Sequence, residues 1–277
     1  PTLLQRAQAS QAKTALDLFS GTNRIAHGFK ELGINVTAVD TASYSETFGK
    51  TWLELDRERF DLAELAELAE AISYLDALPA APGFFAEKYS VQSRFFQLEN
   101  AGRIDAIRSA IEQEFSDTWL YHPLLTSLVL AADRVDSTTG QQAAFLKQWS
   151  RRSFQRLTLK DPGLLSGPGR FIRAKAEDLV SDLAEVDLAY LDPPYNQHSY
   201  LGNYHCWESL VLWDRPETYG VANKRVDVRT RKSAFNSRPG IGPALRTVIE
   251  RVKAPNLIVS FNDEGYLSRA DLVEMLS

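Results

Sequence analysis

The sequence predicts an α/β fold, with an open parallel sheet that is interrupted by a helical insertion. The first observation is that short apolar runs alternate with helical patterns near both ends of the chain. The second is that residues 43–166 have largely helical patterns, over a length too great for one crossover connection. We therefore predict a discontinuous sheet domain, residues 1–42 and 167–277, around a helical insertion, residues 43–166.

The first predicted elements are a strand, a turn, a helix and a second strand. Residues 14–19 are apolar and lead into a turn at residues 20–23, and the helix at residues 24–32 ends at Gly33. The second strand ends on Asp40, about 20 residues beyond the turn, where an acid can accept from ribose hydroxyls. Because the turn lacks a G-x-G fingerprint, the pattern indicates a Rossmann-like sheet with a nucleoside ligand rather than a bound pyrophosphate.

The remaining elements follow from apolar spacing and from turn residues. Within the insertion we predict helices at residues 53–78, 104–115, 124–135 and 143–149. After it we predict strands at residues 170–174 and 256–261, helices at residues 204–212 and 241–252, and a basic loop at residues 224–239.

Two acids, Glu177 and Asp178, follow the strand at residues 170–174. Two interpretations stay open. Asp178 can lie at the edge of the sheet and accept a hydrogen bond from the adenine amino group of a ligand. Alternatively, both acids stabilise the first turn of a short helix at residues 179–183.

The strongest candidate site lies where a buried strand, residues 186–190, enters Leu191-Asp192-Pro193-Pro194-Tyr195. The prolines end strand pairing and hold the backbone rigid. An exocyclic amino group on a nucleobase is a poor nucleophile, because its lone pair is delocalised into the ring. The Asp192 carboxylate and the Pro193 carbonyl can accept both amino hydrogens and localise that lone pair, and Tyr195 offers a face on which a flipped-out base can stack.

Composition excludes several classes of protein. No apolar run approaches the ~18 residues needed for a membrane span, and no signal peptide pattern opens the sequence. Cys206 is the single cysteine, which excludes disulfides and cysteine zinc sites and suits the cytoplasm. The four histidines show no metal-ligand spacing, so we expect no metal.

Charge is unevenly distributed along the chain. The net charge of −5 argues against a protein that coats nucleic acid indiscriminately. Residues 54–70 are acidic, whereas residues 151–175 and 224–232 are basic. We interpret the basic stretches as one positive wall of a cleft. For residues 224–232 the alternative is a solvated loop.

These motifs together resemble the adenine-specific DNA methyltransferases of bacterial restriction-modification systems, in which the cofactor motif precedes Asp-Pro-Pro-Tyr. The similarity covers nearly the whole chain. It is carried by residues 16–22, Asp40, residues 96–112, residues 139–140 with 144–147, residues 192–196, residues 203–205 and residues 260–265. Asn23 stands where the family usually has glycine, and asparagine tolerates the positive φ that such a turn requires.

The resemblance implies a Rossmann-like, S-adenosylmethionine-dependent methyltransferase sheet that acts on adenine N6 in double-stranded DNA. It further implies a cognate restriction endonuclease as functional partner and a target-recognition or DNA-contact role for the insertion. By this resemblance the cofactor would be bound by Asp17, Phe19, Gly21, Asp40 and Asp178. Catalysis would be carried by Asp192, Pro193, Pro194 and Tyr195. The DNA contacts we predict are Lys224, Arg225, Arg229, Arg231 and Lys232.

Three other functions remain open on sequence alone. Adenine methylation of RNA uses similar motifs, and the large insertion favours DNA. Methylation of cytosine N4 shares the strand-end chemistry, although serine usually precedes Pro-Pro there. A third possibility is a nucleoside-binding or DNA-binding module whose catalysis has decayed, against which the intact Asp192 argues. A covalent cytosine-carbon mechanism is excluded, because it needs a Pro-Cys nucleophile and Cys206 follows His205.

Overall fold

A computed structural model describes residues 2–262 and 264–277. The chain divides into two compact units. The sheet unit comprises Pro1–Glu58, Leu164–Tyr200 and Lys232–Ser277, and the helical unit comprises Arg59–Gly163 and Leu201–Arg231. No helix in the described part of the chain is both long and apolar enough to cross a membrane.

Strands and helices alternate in the sheet unit, whereas helices dominate the helical unit. The strands of the described residues are, in chain order, β1 Thr14–Asp17, β2 Asn35–Asp40, β3 Gly169–Arg173, β4 Leu188–Leu191, β5 Thr218–Tyr219, β6 Lys224–Arg225 and β7 Asn256–Val259. Their α-helices are α1 Leu3–Ala9, α2 Arg24–Glu31, α3 Ser43–Gly49, α4 Leu62–Ala77, α5 Phe84–Ala86, α6 Leu98–Phe115, α7 Tyr121–Val135, α8 Ala176–Leu179, α9 Tyr200–Asn203, α10 His205–Leu212, α11 Arg238–Arg251 and α12 Arg269–Leu276. Short 3₁₀ or π turns lie at Lys50–Glu54, Arg57–Arg59, Glu87–Val91, Arg151–Phe154, Val180–Asp182, Val226–Arg229 and Ala234–Asn236.

The central sheet has the strand order β3-β2-β1-β4-β7, and all neighbouring strands are parallel. The chain moves outward from β1 through β2 to β3 and then returns to the other side of β1 with β4. The carboxyl ends of β1 and β4 therefore flank the point where the strand order reverses, which is where open α/β sheets bind ligands. The predicted α/β fold is confirmed.

Both faces of the sheet are buried, because its strands alternate apolar side chains between two cores. On one face, Leu16 and Leu191 pack in a cluster with Leu245 and Val248 of α11. On the other face, Ala15 and Leu188 belong to a cluster with Phe29 of α2. Covering both faces leaves the carboxyl edge of the strands as the position for polar side chains.

One predicted helix starts later than expected, and another is wrong. The helix predicted at residues 53–78 begins at Leu62, because Asp61 accepts hydrogen bonds from the N–H groups of Ala63 and Glu64 and caps it there. Residues 143–149 form no helix. Backbone N–H groups in and next to this segment bond to carbonyls outside it instead of forming helical hydrogen bonds. The Gln142 N–H donates to Asn203 O, and the Leu146 N–H donates to Ser137 O.

The bounds of the two units differ from the predicted division at 43–166. Helix α3 and the turn after it belong to the sheet unit, whereas residues 201–231 belong to the helical unit. Long-range contacts cause the second difference. Gln142 Oε1 accepts from the N–H groups of Cys206 and Trp207 at the start of α10, and buried Arg108 donates to carbonyls at its end. The proposed role of the insertion in target recognition stays a prediction.

Candidate active site

Three acidic side chains mark neighbouring strand ends of the sheet. Asp17 is the last residue of β1, Asp40 is the last residue of β2, and Asp192 follows directly on β4. Because β2, β1 and β4 are adjacent and parallel, these acids lie at one edge of the sheet. The negative charges of Asp40 and Asp192 both act on Asp17 at this edge.

The turn between β1 and α2 is held by Asp40. Its two carboxylate oxygens accept hydrogen bonds of 2.9 Å from the N–H groups of Gly21 and Ala42. Gly21 and Asn23 have φ of 51° and 58°, so both lie in the left-handed region. The prediction that asparagine tolerates this conformation is confirmed. The Asn23 amide also donates to the carbonyl of Ser45 at 2.8 Å, which ties the turn to α3.

Asp17 is buried without a hydrogen-bonding partner. Its side chain is 1% exposed, and among the described residues neither carboxylate oxygen has a hydrogen bond. Burial, followed by the negative charges of Asp40 and Asp192, raises its pKa to about 8. The N–H groups of Phe19 and Ala26 oppose this shift, although neither reaches hydrogen-bonding geometry. A buried, unpartnered carboxylate of this kind is a place where a positively charged ligand group would be stabilised.

Asp192 is held from two sides. Burial raises the pKa of Asp192, and the nearby side chains of Ser260 and Tyr190 oppose part of that shift. Ser260 is positioned by the sheet, because its N–H donates to Leu191 O at 2.8 Å beyond the paired ends of β4 and β7. Sequence reasoning placed Ser260 in a family-like stretch without giving it a role, and it missed Tyr190.

A cleft of about 450 Å³ opens beside Asp192. Its lining residues are Asp192, Tyr195, Tyr200, Ser260, Phe261 and Asn262. The rings of Tyr195 and Phe261 lie 5.9 Å apart at 57°, so the cleft has aromatic walls next to a carboxylate. Asp263, in the same family-like stretch, lies outside the described residues. Residues 260–262 form one wall of the cleft and directly follow a strand of the sheet. That position is the sequence signal from which this wall could have been predicted.

The segment around Asn236 contacts two parts of the site. The Asn236 amide donates to the carbonyls of Asn196 at 2.9 Å and His198 at 3.1 Å, which fixes the loop after Tyr195. The neighbouring Phe235 is fully buried, and its ring meets that of Phe19 edge-on at 4.9 Å. This segment was predicted to be part of a basic loop, and its contacts with the site were not predicted.

Asp178 lies in the first turn of α8, and its side chain is exposed. Strand β3 ends at Arg173, so the acid belongs to the helix rather than to the strand end. This placement fits the interpretation in which Asp178 stabilises the helix. A contact with the cofactor stays a prediction.

The basic stretch at residues 224–232 is not a loop of solvated cations. Arg225 is buried and donates to both carboxylate oxygens of Asp214, at 2.6 and 2.7 Å, and to Asp227 at 3.0 Å. Arg231 pairs with buried Glu208 at 2.8 Å. The Arg229 guanidinium lies 3.7 Å from the ring centroid of Tyr219. These contacts compensate the charges of Arg225 and Arg231 within the helical unit and weigh against a role for them in DNA binding. DNA contact by Lys224, Arg225, Arg229, Arg231 and Lys232 stays a prediction.

We expect Arg225→Gln to destabilise the protein without changing the salt dependence of its DNA binding. The change leaves Asp214 and Asp227 without their common partner and should lower the free energy of unfolding by about 2 kcal/mol. Chemical denaturation checks the first part, and DNA affinity measured at several salt concentrations checks the second. A weaker salt dependence in a folded variant would show that Arg225 contacts DNA.

The fold and the site together define a Rossmann-like α/β protein with acids at the ends of β1, β2 and β4, a turn held by Asp40, and an aromatic cleft. Residues 1–240 match the D12 class N6 adenine-specific DNA methyltransferases, and the chain belongs to this family.

The relatives are methylases of restriction-modification type by name. The chain is 31% identical over 273 residues to modification methylase StsI of Streptococcus sanguinis, a match covering 94% of this chain and 41% of the relative. It is 28% identical to type II methyltransferase M.FokI of Planomicrobium okeanokoites, over 96% of this chain and 43% of the relative. It is also 28% identical to type II methyltransferase M.NlaIII of Neisseria lactamica, over 95% of this chain and 79% of the relative. The chain thus spans less than half the length of the first two relatives. No solved structure matches it.

Proposed function

We propose that this chain transfers a methyl group from S-adenosylmethionine to N6 of adenine in double-stranded DNA, as the modification component of a restriction-modification system. The observation that carries the proposal is Asp192 beside the aromatic cleft, with Asp17 at the end of the adjacent strand β1 and Asp40 at the end of β2, the next strand along. Family membership and the names of the relatives support it. A cognate endonuclease and a cytoplasmic location remain predictions.

The residues present fit the cofactor. Each Asp40 oxygen accepts a backbone N–H, and a carboxylate at this strand end would also accept from a ribose hydroxyl. The unpartnered Asp17 carboxylate would be stabilised by a positive group of the cofactor, whose ammonium and sulfonium are both cationic. Phe19 and Gly21 belong to the turn that Asp40 holds. When bound, the cofactor supplies an activated methyl group on sulfur.

The acceptor would be prepared by the residues after β4. The Asp192 carboxylate and the Pro193 carbonyl would accept the two amino hydrogens of a flipped-out adenine, which localises the nitrogen lone pair. As the amino nitrogen becomes positively charged during methylation, the Asp192 carboxylate would stabilise that charge and accept the proton that the nitrogen then loses. Tyr195 would stack on the base, and the rigid Pro193-Pro194 backbone limits reorganisation. No covalent enzyme intermediate is required, so positioning and electrostatics supply the catalysis.

Labelled cofactor tests the proposal directly. The protein is incubated with it and with a mixture of duplex DNA and RNA, and the modified nucleoside is identified. We expect N6-methyladenine in the DNA. Label found only in RNA, or only as 4-methylcytosine, would establish one of the alternative activities. Stoichiometric cofactor binding without turnover would establish a decayed module.

We expect Asn236→Ala to lower the rate of methyl transfer about tenfold or more, with little change in cofactor affinity. The change removes both hydrogen bonds that hold the loop after Tyr195, and small displacements near reacting groups are costly. Single-turnover rates and calorimetric cofactor binding separate the two effects. Asn35→Ala, at an exposed position in β2, is the matched control. A wild-type rate in Asn236→Ala would show that these bonds do not position the loop.

A further inference from the structure

The helical unit contains a long stretch without acidic residues. Residues 137–160 hold no Asp or Glu, although the whole chain has a net charge of −5. The same stretch carries the cations Lys147, Arg151, Arg152, Arg156 and Lys160. It partly overlaps the basic region recognised in the sequence, but the DNA-contact prediction was placed elsewhere, at residues 224–232.

Two of these cations are used to hold the stretch in place. Arg152 forms an ion pair with buried Asp136 and also donates to its backbone carbonyl at 2.9 Å. Arg156 pairs with Asp76 of α4 at 3.1 Å. Ser150 adds hydrogen bonds to Asp136 O and to Ser137 Oγ, both 3.0 Å. The stretch is therefore anchored at several points.

Two other cations, Lys147 and Arg151, are close in sequence to the half-buried Trp149 and to the exposed side chains of Gln148 and Phe154. Lys147 and Arg151 are exposed, and no ion pair joins either of them to another described residue. The Arg94 guanidinium lies 5.0 Å from the Trp149 ring and donates to Lys147 O at 2.7 Å, which supports the chain between the two cations. Phe154, in the turn Arg151–Phe154, is 69% exposed.

We propose that Lys147, Trp149, Arg151 and Phe154, which we call the 147–154 surface, bind duplex DNA. This inference rests on the proposed function and names the surface through which the substrate is held. Lysine and arginine pair with phosphates, and exposed aromatic side chains contact bases or sugars. Glutamine amides read base edges, and Gln148 is exposed between the two cations.

This surface is better suited to phosphates than residues 224–232. There, Arg225 and Arg231 already have carboxylate partners, so their charges are compensated inside the fold. A polyanion gains most from cations that have no competing carboxylate, because each contact then releases a counterion without first breaking an ion pair. Because residues 137–160 contain no Asp or Glu, no carboxylate within the stretch competes with phosphates for its cations.

The test is the salt dependence of binding. Affinity for a labelled mixed-sequence DNA duplex is measured at several NaCl concentrations for the whole chain and for the double variant Lys147→Ala, Arg151→Ala. We expect the slope of log affinity against log salt to become less negative by roughly two units, at about 0.9 per phosphate contact. The control is Arg246→Ala, Arg251→Ala, which removes two exposed cations from α11 and should leave the slope unchanged. Phe154→Ala should weaken binding severalfold and leave the slope unchanged.

Several results would overturn the inference. One is an unchanged slope in a double variant that unfolds at the wild-type temperature. Another is an equal change of the salt slope in the α11 control variant. A third is that the whole chain binds a duplex RNA of the same length as tightly as the DNA. These measurements need no turnover. Failure of the 147–154 surface is therefore distinguishable from failure of the proposed function, which would appear as wild-type DNA binding without methyl transfer.

Discussion

Methyl transfer by an Asp192→Ala variant is expected to be orders of magnitude slower than by the wild-type protein, while DNA binding survives. The change removes the acceptor that localises the amino lone pair and stabilises charge on nitrogen, but it leaves the phosphate contacts that supply much of the affinity. Single-turnover methylation with labelled cofactor measures the first effect, and DNA binding measures the second. A near wild-type rate would show that residues 192–195 are not the catalytic centre.

Variants of Tyr195 provide the comparison series for this result. Tyr195→Phe keeps the stacking face and should retain much of the activity. Tyr195→Ala loses a contact worth ~1–3 kcal/mol in single-stranded systems and should impair capture of the flipped base. The expected order of activity is wild type, Tyr195→Phe, Tyr195→Ala and then Asp192→Ala. Tyr195→Phe as inactive as Tyr195→Ala would show that the hydroxyl, rather than the ring face, is what matters.

Asp17→Asn is expected to weaken cofactor binding strongly and to stabilise the cofactor-free protein. Asparagine keeps the shape of the side chain but removes the charge that would pair with a cationic cofactor group. It also removes the cost of a buried, unpartnered carboxyl, which amounts to a few kcal/mol at pH 7. Calorimetric cofactor binding should show at least a tenfold loss of affinity, and the melting temperature should rise by several degrees.

The pH dependence of stability provides an independent check. Between pH 3.8 and about 8, Asp17 holds a proton in the folded protein that the unfolded chain has released. The contribution of Asp17 to the free energy of unfolding therefore falls as the pH rises through this interval. Asp17→Asn should remove that part of the pH dependence, whereas Asp178→Asn, at an exposed position, should not. A lower melting temperature for Asp17→Asn at pH 8 would show that the carboxyl has a stabilising partner.

Local sequence patterns were sufficient for the sheet and for the turns at its edge. The order of strand, turn, helix and strand up to Asp40 follows from apolar spacing, and the residues involved are close in the chain. The prolines after Asp192 end β4 by their own covalent geometry, so this part of the site can also be predicted from the sequence. The positive φ of Asn23 was predictable for the same reason, because it depends on one residue type in one turn.

The surroundings of these residues depend on contacts that no local pattern encodes. Ser260 reaches Asp192 only because β7 pairs with β4, and Asn236 supports a loop 40 residues earlier in the chain. In the sequence, Arg225 is one of several cations that are candidates for DNA contact. Only the fold brings Asp214 against it as an ion-pair partner.

The sequence by itself determined the class of fold, the acid at the end of β2 and the Asp192–Tyr195 segment after β4, whose catalytic role stays a prediction. The tertiary structure alone decided that Asp17 is left without a partner, which cations are compensated, and that residues 201–231 belong to the helical unit. The physical reason is that backbone conformation is set largely by neighbouring residues, whereas burial and charge pairing are set by whichever distant segments the fold brings together.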